Sequence, residues 1–308
     1  MDAIVVGAGV SGLTSAVTLS EQGWRVRIRS TAAPTATTSM VAGAMVGGPV
    51  MTEPLDDATR WNEIGLRTFG VLADIPRTGV HQAQGRLVTL LPEEPPWAAS
   101  LPGYRPCTPE EHAGFPVAFW ISTPLIDMPR YLSYLYDRFV AAGGQLELGP
   151  VSDFAELDAP VIVDCTGLGA RELAGDLDVQ PVRGQHVVVR NPGLTEFFFE
   201  GGAQTEWTSF FPHGDRVILG GVAEAGNENT EPDPGQAEQI RERCIAVEPR
   251  LAGAQVLGVE VGLRPARPRI RVERERRGEQ IVIHNYGHGG VGVAMSWGCA
   301  TQVAELLE

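Results

Sequence analysis

The chain has 308 residues, with 24 basic side chains against 38 acidic ones and a formal net charge of −14. Every basic residue is an arginine. The missing lysine excludes Schiff-base and PLP enzymes, P-loop NTPases, protein kinases and nicotinamide short-chain dehydrogenases, all of which depend on one.

In chain order, Ala3 to Val6 is a short apolar run followed by Gly7-Ala8-Gly9-Val10-Ser11-Gly12. A helical pattern then runs to Gln22, stops at Gly23, and gives way to an alternating strand at Arg25 to Arg29. Strand, glycine turn, helix and strand open a βαβ unit. Thr31 to Thr52 is too polar and broken for a regular core element. Asp56 to Leu72 predicts a helix, while Pro92–Pro96 and Pro102–Pro109 predict loops. Ile126 to Ala142 predicts a second long helix with Asp127 as N-cap, Pro129 in the first turn and Gly143-Gly144 as terminator. Val161 to Asp164 is wholly apolar up to its last residue, as in a buried parallel sheet.

After Gly184 the texture changes. His186–Arg190, Trp207–Phe211, Arg216–Leu219, Gln255–Leu263 and Ile270–Glu273 predict longer strands of an antiparallel sheet. The chain then returns to a strand at Ile281–His284, a glycine-rich turn, and a final helix from about Val293 to Leu307. Two domains that exchange segments follow from α/β texture at both ends around a β-rich middle.

A hydrophobic fraction of 43% and a charged fraction of 20% fit a soluble globular chain. The acidic balance argues against nucleic acid or an anionic membrane as a partner. Seven arginines between Arg264 and Arg277 are interrupted by Glu273 and Glu275, a pattern of strand faces rather than a polyanion site. Cys107, Cys165, Cys244 and Cys299 lie far apart with no CxxC. This is the spacing of reduced thiols in a cytoplasmic protein, not of a disulfide framework or a zinc site. Met1-Asp2 leads straight into a strand without a secretion signal, and no apolar stretch approaches a membrane span.

Two motifs carry chemistry. In Gly7-x-Gly9-x-x-Gly12 the first glycine allows a tight turn, the second admits a pyrophosphate to the backbone, and the third lets helix and strand pack closely. The acid that ends the second strand of such folds and binds a ribose hydroxyl is missing. Ser30 or Thr31 stands near its place, and a serine hydroxyl or Arg29 is the candidate substitute. The second motif runs from Val282 through His284-Asn285-Tyr286-Gly287-His288-Gly289-Gly290-Val291-Gly292 into a helix. Four glycines there imply close approach to something flat or charged. The helix N-terminus can stabilise negative charge on a reduced ring. His284 and His288 read as hydrogen-bonding turn residues, not metal ligands, and no metal is expected.

The stretch Ile281–Ala300 strongly resembles the signature of the D-amino-acid oxidase family of FAD enzymes. The resemblance extends through Val6–Leu13, Thr37-Thr38 with Ala42-Gly43, Asp164-Cys165-Thr166-Gly167, Gln180-Pro-x-Arg183-Gly184-Gln185, Leu219-Gly220-Gly221 and Gly262-Leu263-Arg264-Pro265-x-Arg267-Pro268. It implies an α/β fold: a Rossmann-like FAD-binding domain (residues 1–50, 140–180 and 265–308) interleaved with an antiparallel β-sheet substrate domain (51–139 and 181–264). Non-covalent FAD is implied, with contacts from Gly7, Gly9, Val10, Ser11, Gly12, Arg29, Ser30, Thr37, Thr38, Gly43, Ala44, Met45, Val151, Thr166, Gly167, Arg264 and the turn Gly287, His288, Gly289, Gly290, Val291, Gly292 and Val293. Arg264 matches the arginine that grips the substrate carboxylate, a task for a planar guanidinium fork. Gly290 matches the glycine whose carbonyl receives the substrate amine.

The implied reaction is oxidative deamination of a D-amino acid by molecular oxygen, giving a 2-oxo acid, ammonia and hydrogen peroxide, without a protein base. The family also places two tyrosines in the active site. Counting back from Leu219-Gly220-Gly221 without gaps, those positions hold Thr205 and Ser209, with Trp207 and Phe210 nearby. A roomier pocket for neutral, bulky or apolar side chains is the expectation. D-Aspartate is not expected, because no second arginine lies between Arg190 and Arg216. The substituted tyrosines leave open a flavin oxidase of glycine, sarcosine or specialised secondary amines, or a dinucleotide-binding protein without catalysis. A homodimer is also left open.

Overall fold

The opening apolar run forms the strand Asp2–Val6 in the computed structural model, which describes residues 1–48 and 50–308. The helix Val10–Glu21 follows, then the strand Arg25–Ser30, parallel to the first. Gly12 packs so closely on the Gly7 carbonyl that a β-carbon would collide with that oxygen. The third glycine of the motif therefore sets the distance between helix and turn. Val161–Asp164 and Gln280–His288 extend the sheet on one side and Gln145–Leu148 on the other, all parallel. Helices Val10–Glu21, Met128–Ala141 and Gly292–Glu305 pack over these strands around Leu13, Val17, Leu135, Phe139 and Val303, all fully buried.

The same sheet continues through one strand of 22 residues, Val256–Arg277. Two separate strands are predicted there, but the intervening Arg264 to Ile270 remains extended. Its first part pairs antiparallel with Gln180–Arg190 and its last part with Gln280–His288. Beyond Gln180–Arg190 lie, in order, Arg216–Val222, Glu206–His213, Phe197–Gly201, Val80–Thr89, Val117–Ile126 and the two-residue strand Ala44–Met45. This part is antiparallel except for Val80–Thr89 beside Phe197–Gly201, which is a parallel pair. Helix Pro234–Val247 covers its outer face through Ala237, Ile240 and Cys244. An aromatic cluster of Phe119, Phe197 and Phe211 with Trp97 lies toward the cavity side.

The second long helix starts at Met128, and Asp127 occupies its N-cap position without capping it. The carboxylate is instead drawn to Arg216 (2.5 Å) and Arg130 (3.4 Å). An ion pair across elements has displaced the local cap. No helix among the described residues is long and apolar enough to cross a membrane.

Candidate active site

A cavity of about 1890 Å³ runs from the N-terminal glycine turn to the middle of the long strand. One end is made by Gly7, Gly9, Val10 and Ser11, with Arg29, Ser30, Val151, Thr166 and Gly167 around it. Thr37, Thr38, Gly43, Ala44 and Met45 form its flank. His288 to Val293, with Gly290 among them, and Arg264 close the other end, where Ser209 also faces the space. Three expected residues stand outside the wall. Gly12 and Gly287 lie behind it, against the Gly7 carbonyl and the Arg267 stem. Thr205 is exposed, and its carbonyl accepts the Ala223 N–H at 2.7 Å.

Two helices aim their N-termini at this space, Val10–Glu21 and Gly292–Glu305, and neither carries an acid in its first turn or a side-chain cap at its N-cap residue. Apart from the Val10 N–H, which Ser39 Oγ accepts at 3.0 Å, the first-turn N–H groups favour anions. Two buried polar atoms of the wall, Asn285 Oδ1 and His288 Nε2, have no hydrogen-bond partner among the described residues. An orphaned buried group at the wall of a cavity calls for an explanation, and a ligand that fills the cavity and shifts these side chains would supply one. The missing ribose acid is matched by Ser30, whose Oγ accepts from the Ala32 N–H (3.3 Å), and by Arg29, held by Glu147 (3.0 Å). Length, two positive helix ends and orphaned polar atoms fit a long dinucleotide with a diphosphate and a hydrogen-bonding ring.

His284 and His288 separate in role. His284 is fully buried between Asp164 (3.3 Å) and Glu275 (2.9 Å), whereas Thr166 donates to the same Asp164 at 2.7 Å. That is the hydrogen-bonding role read from the sequence, filled within the strand Gln280–His288 rather than in a turn. His288 differs: it lines the cavity, its buried Nε2 has no partner among the described residues, and burial pushes its pKa down to about 4.

Arg264 is the second focus. Its guanidinium lies flat over Gly184, donates only to the Val222 carbonyl (3.1 Å), and has no carboxylate within ion-pair distance among the described residues. Burial lowers its pKa. A guanidinium offers five N–H donors, so most of this fork is free and directed to the cavity. Gly290 sits beside it, the position of its absent β-carbon 3.9 Å from Arg264 Cδ. Arg29 and Arg264 are the cavity arginines among the described residues; Arg190 and Arg216 pair elsewhere, with Asp215 and Asp127.

Sequence reasoning missed His186 and Glu260, which also line the cavity and face each other across the ladder. Burial, then the charge of Arg264, holds His186 near pKa 4 and so neutral, and burial raises Glu260. Phe199, Phe211, Leu87 and Trp97 add an apolar wall. Lone residues on separate strands carry no local signal; only the strand register brings them together.

Gly12→Ala tests the cofactor end. The added methyl collides with a backbone carbonyl that cannot rotate away, so the turn must open. The expected outcome is loss of FAD on gel filtration, with flavin absorbance in the protein peak as the measure; full retention would refute the packing argument.

The family model for FAD-dependent oxidoreductases of the DAO type matches residues 2–306. A D-amino-acid oxidase of Streptomyces coelicolor is 47% identical over 310 residues, covering 99% of this chain and 96% of that one. One of Rubrobacter xylanophilus is 46% identical, covering 99% and 95%. The crystal structure of glycine oxidase from Geobacillus kaustophilus superposes with a TM-score of 0.83 at 19% identity, covering 99% and 94%, and so shares the fold. The chain belongs to the DAO family of FAD-dependent oxidoreductases.

Proposed function

We propose that this flavoenzyme oxidatively deaminates D-amino acids with neutral, bulky or apolar side chains. The observation that carries the reading is Arg264: a desolvated guanidinium with one backbone partner, open to the cofactor cavity. Such a group calls for an anion, and a carboxylate matches its fork in two parallel hydrogen bonds. The relatives named as D-amino-acid oxidases support the substrate class.

Bound FAD supplies a two-electron acceptor. The chain's own groups do the rest by placement. Arg264 holds the carboxylate, and the Gly290 carbonyl beside it takes the amine. Gly7, Gly9, Val10 and Ser11 would hold the diphosphate, and Arg29, Ser30, Val151, Thr166 and Gly167 the adenosine end. Thr37, Thr38, Gly43, Ala44, Met45 and the His288–Val293 segment would hold the ring system. Gly12 and Gly287 act from behind the wall.

The substrate loses its Cα hydrogen with two electrons and an amine proton, and water splits the resulting imino acid into 2-oxo acid and ammonia. Oxygen takes the electrons and two protons as hydrogen peroxide. No side chain need act as base, because fixed orientation and local electrostatics lower the barrier. His186 stays neutral at working pH and adds no second positive charge.

The apolar wall of Phe199, Phe211, Leu87 and Trp97 supports bulky apolar side chains. The pairing of Arg190 and Arg216 with other acids argues against an acidic one. We assign residues 1–50, 140–180 and 265–308 to the cofactor-binding unit and 51–139 with 181–264 to the substrate-binding unit; Ala44–Met45, which pairs with Val117–Ile126, and the helices Leu55–Ala73 and Met128–Ala141, which pack into the core of the N-terminal sheet, cross that division. The dispersed free cysteines favour a reducing compartment, the cytoplasm.

Anaerobic mixing with D-, L- and N-methyl amino acids tests the reading. Bleaching of the flavin by D-phenylalanine or D-leucine, with D-aspartate far slower, is expected; bleaching by secondary amines alone would overturn it.

A further inference from the structure

The strand Glu206–His213 is irregular where it passes the cavity. Its ladder pairs Glu206 with Val222 and Ser209 with Gly220, so Trp207 and Thr208 together oppose the single Gly221. A bulge of this kind bends a strand and re-aims a side chain, often beside an active site. The Thr208 N–H is fixed by the carboxylate of buried Glu200 at 2.8 Å. Trp207 faces the cavity, with the nitrogen-bearing edge of its indole laid on Gly221. A methyl on that glycine would meet Cζ2 at 2.6 Å, Cε2 at 2.8 Å and Nε1 at 3.2 Å. Glycine is therefore what lets the ring lie there.

The Arg264 guanidinium carbon is 5.8 Å from the centre of the same ring, within cation–π reach. Two donors thus stand together at one end of the cavity. Arg264 spends one N–H on Val222. The Trp207 Nε1–H has no hydrogen-bond partner among the described residues, and it is not among the sealed orphan atoms, so it remains open to a ligand. An indole N–H only donates, and tryptophans with an apolar body and a reachable N–H usually find an acceptor.

We propose that Trp207 is a substrate-binding residue: its indole N–H donates to the carboxylate that Arg264 grips, and its ring forms one wall of the side-chain compartment. This rests on the reading of Arg264 as the carboxylate grip. Two donors of different shape on one carboxylate fix its plane as well as its position. The group at this place can neither ionise nor accept. Ser209, opposite Gly220 on the same strand, adds a small hydroxyl and leaves room that a larger residue would occupy.

The test uses the FAD-loaded enzyme and phenylpropanoate, which keeps a carboxylate and an apolar chain but lacks the oxidisable amine. Trp207→Phe keeps the ring face and removes the N–H. Its dissociation constant, read from the flavin spectrum, should rise about tenfold, the loss of one hydrogen bond to a charged group. KM for D-phenylalanine should rise in step, while the rate of flavin reduction at saturation holds, because the bond is equally present before and during reaction. Trp207→His, which restores an N–H, should regain part of the affinity. If Trp207→Phe binds phenylpropanoate as tightly as the parent, or if histidine is no better than phenylalanine, Trp207 is a packing residue and the proposal falls. If the parent neither binds phenylpropanoate nor is reduced by D-amino acids, the reading of Arg264 falls first and takes this one with it.

Discussion

Arg264→Ala will leave an FAD-loaded protein that D-amino acids reduce about a thousandfold less efficiently in kcat/KM, roughly 4 kcal/mol of lost transition-state binding. The alanine removes the charge and the fork together, and no other cavity arginine is near enough to substitute, since Arg29 is tied to Glu147 at the nucleotide end. Arg264→Lys should recover only part of the loss, because an ammonium keeps the charge without the two parallel donors. The stability effect runs the other way. A guanidinium whose pKa burial depresses, with one backbone partner, is held in the fold at a cost. Thermal melting of the alanine variant should therefore not fall below that of the parent. A variant that keeps its flavin and its full rate would refute the assignment; one that loses flavin and stability together would make Arg264 structural.

The second large effect is acid lability centred on His213. This ring is 3% exposed, packs edge-on against His81 at 5.3 Å, and has neither nitrogen hydrogen-bonded among the described residues. Burial, followed by the nearby His81, Arg216 and Arg130, pushes its pKa down to about 3. Asp127 pairs with both arginines, and burial also lowers His81. The folded pKa lies below the unfolded value, so folding favours the neutral ring. That stability is fully present above about pH 6.5 and drains away as pH falls toward about 3. At about 1.4 kcal/mol per pH unit, His213 alone accounts for roughly 2–3 kcal/mol by pH 4.5. His186 and His288, both held near 4, steepen the same slope in the protein without cofactor. His213→Phe should match the parent or exceed it in urea midpoint at pH 7.5 and lose clearly less on going to pH 4.5. An unchanged difference between the two pH values would show that the ring is not the acid-sensitive element.

What could be read from the chain was what is local. The N-terminal βαβ unit and the passage from strand to helix around Gly287–Gly292 are contiguous patterns in which glycine, apolar run and helix start adjoin, so both are legible in the sequence, although the strand runs on to His288 where a turn after His284 is expected. The strands Val80–Thr89 and Val117–Ile126 passed as unassigned because Gln82, Gln84 and Gly85, or Pro124, blur their alternation. What stabilises them is pairing with each other and with Phe197–Gly201 far along the chain. Helix Pro234–Val247 was also missed: it is mostly polar and buries only Ala237, Ile240 and Cys244. The site failed in one instructive place. A gapless count from Leu219 assigned Thr205 and Ser209 together, but the ladder slips by one residue between Glu206 and Ser209. Ser209 keeps its place in the cavity, while Thr205 turns out to solvent and Trp207 occupies the space between. Chain spacing does not record a bulge.

The strand Val256–Arg277 has a mechanical consequence. It is bonded along one edge to Gln180–Arg190 and along the other to Gln280–His288, and Arg264 sits near its middle. A clamshell motion separating the carboxylate grip from the Gly289–Val293 turn would have to shear these ladders, at a hydrogen bond per step. The distance between grip and turn is in effect a gauge set by two ladders at folding. Traffic in and out must then be carried by segments outside that frame, of which Leu90, Leu91 and Trp97 border the cavity.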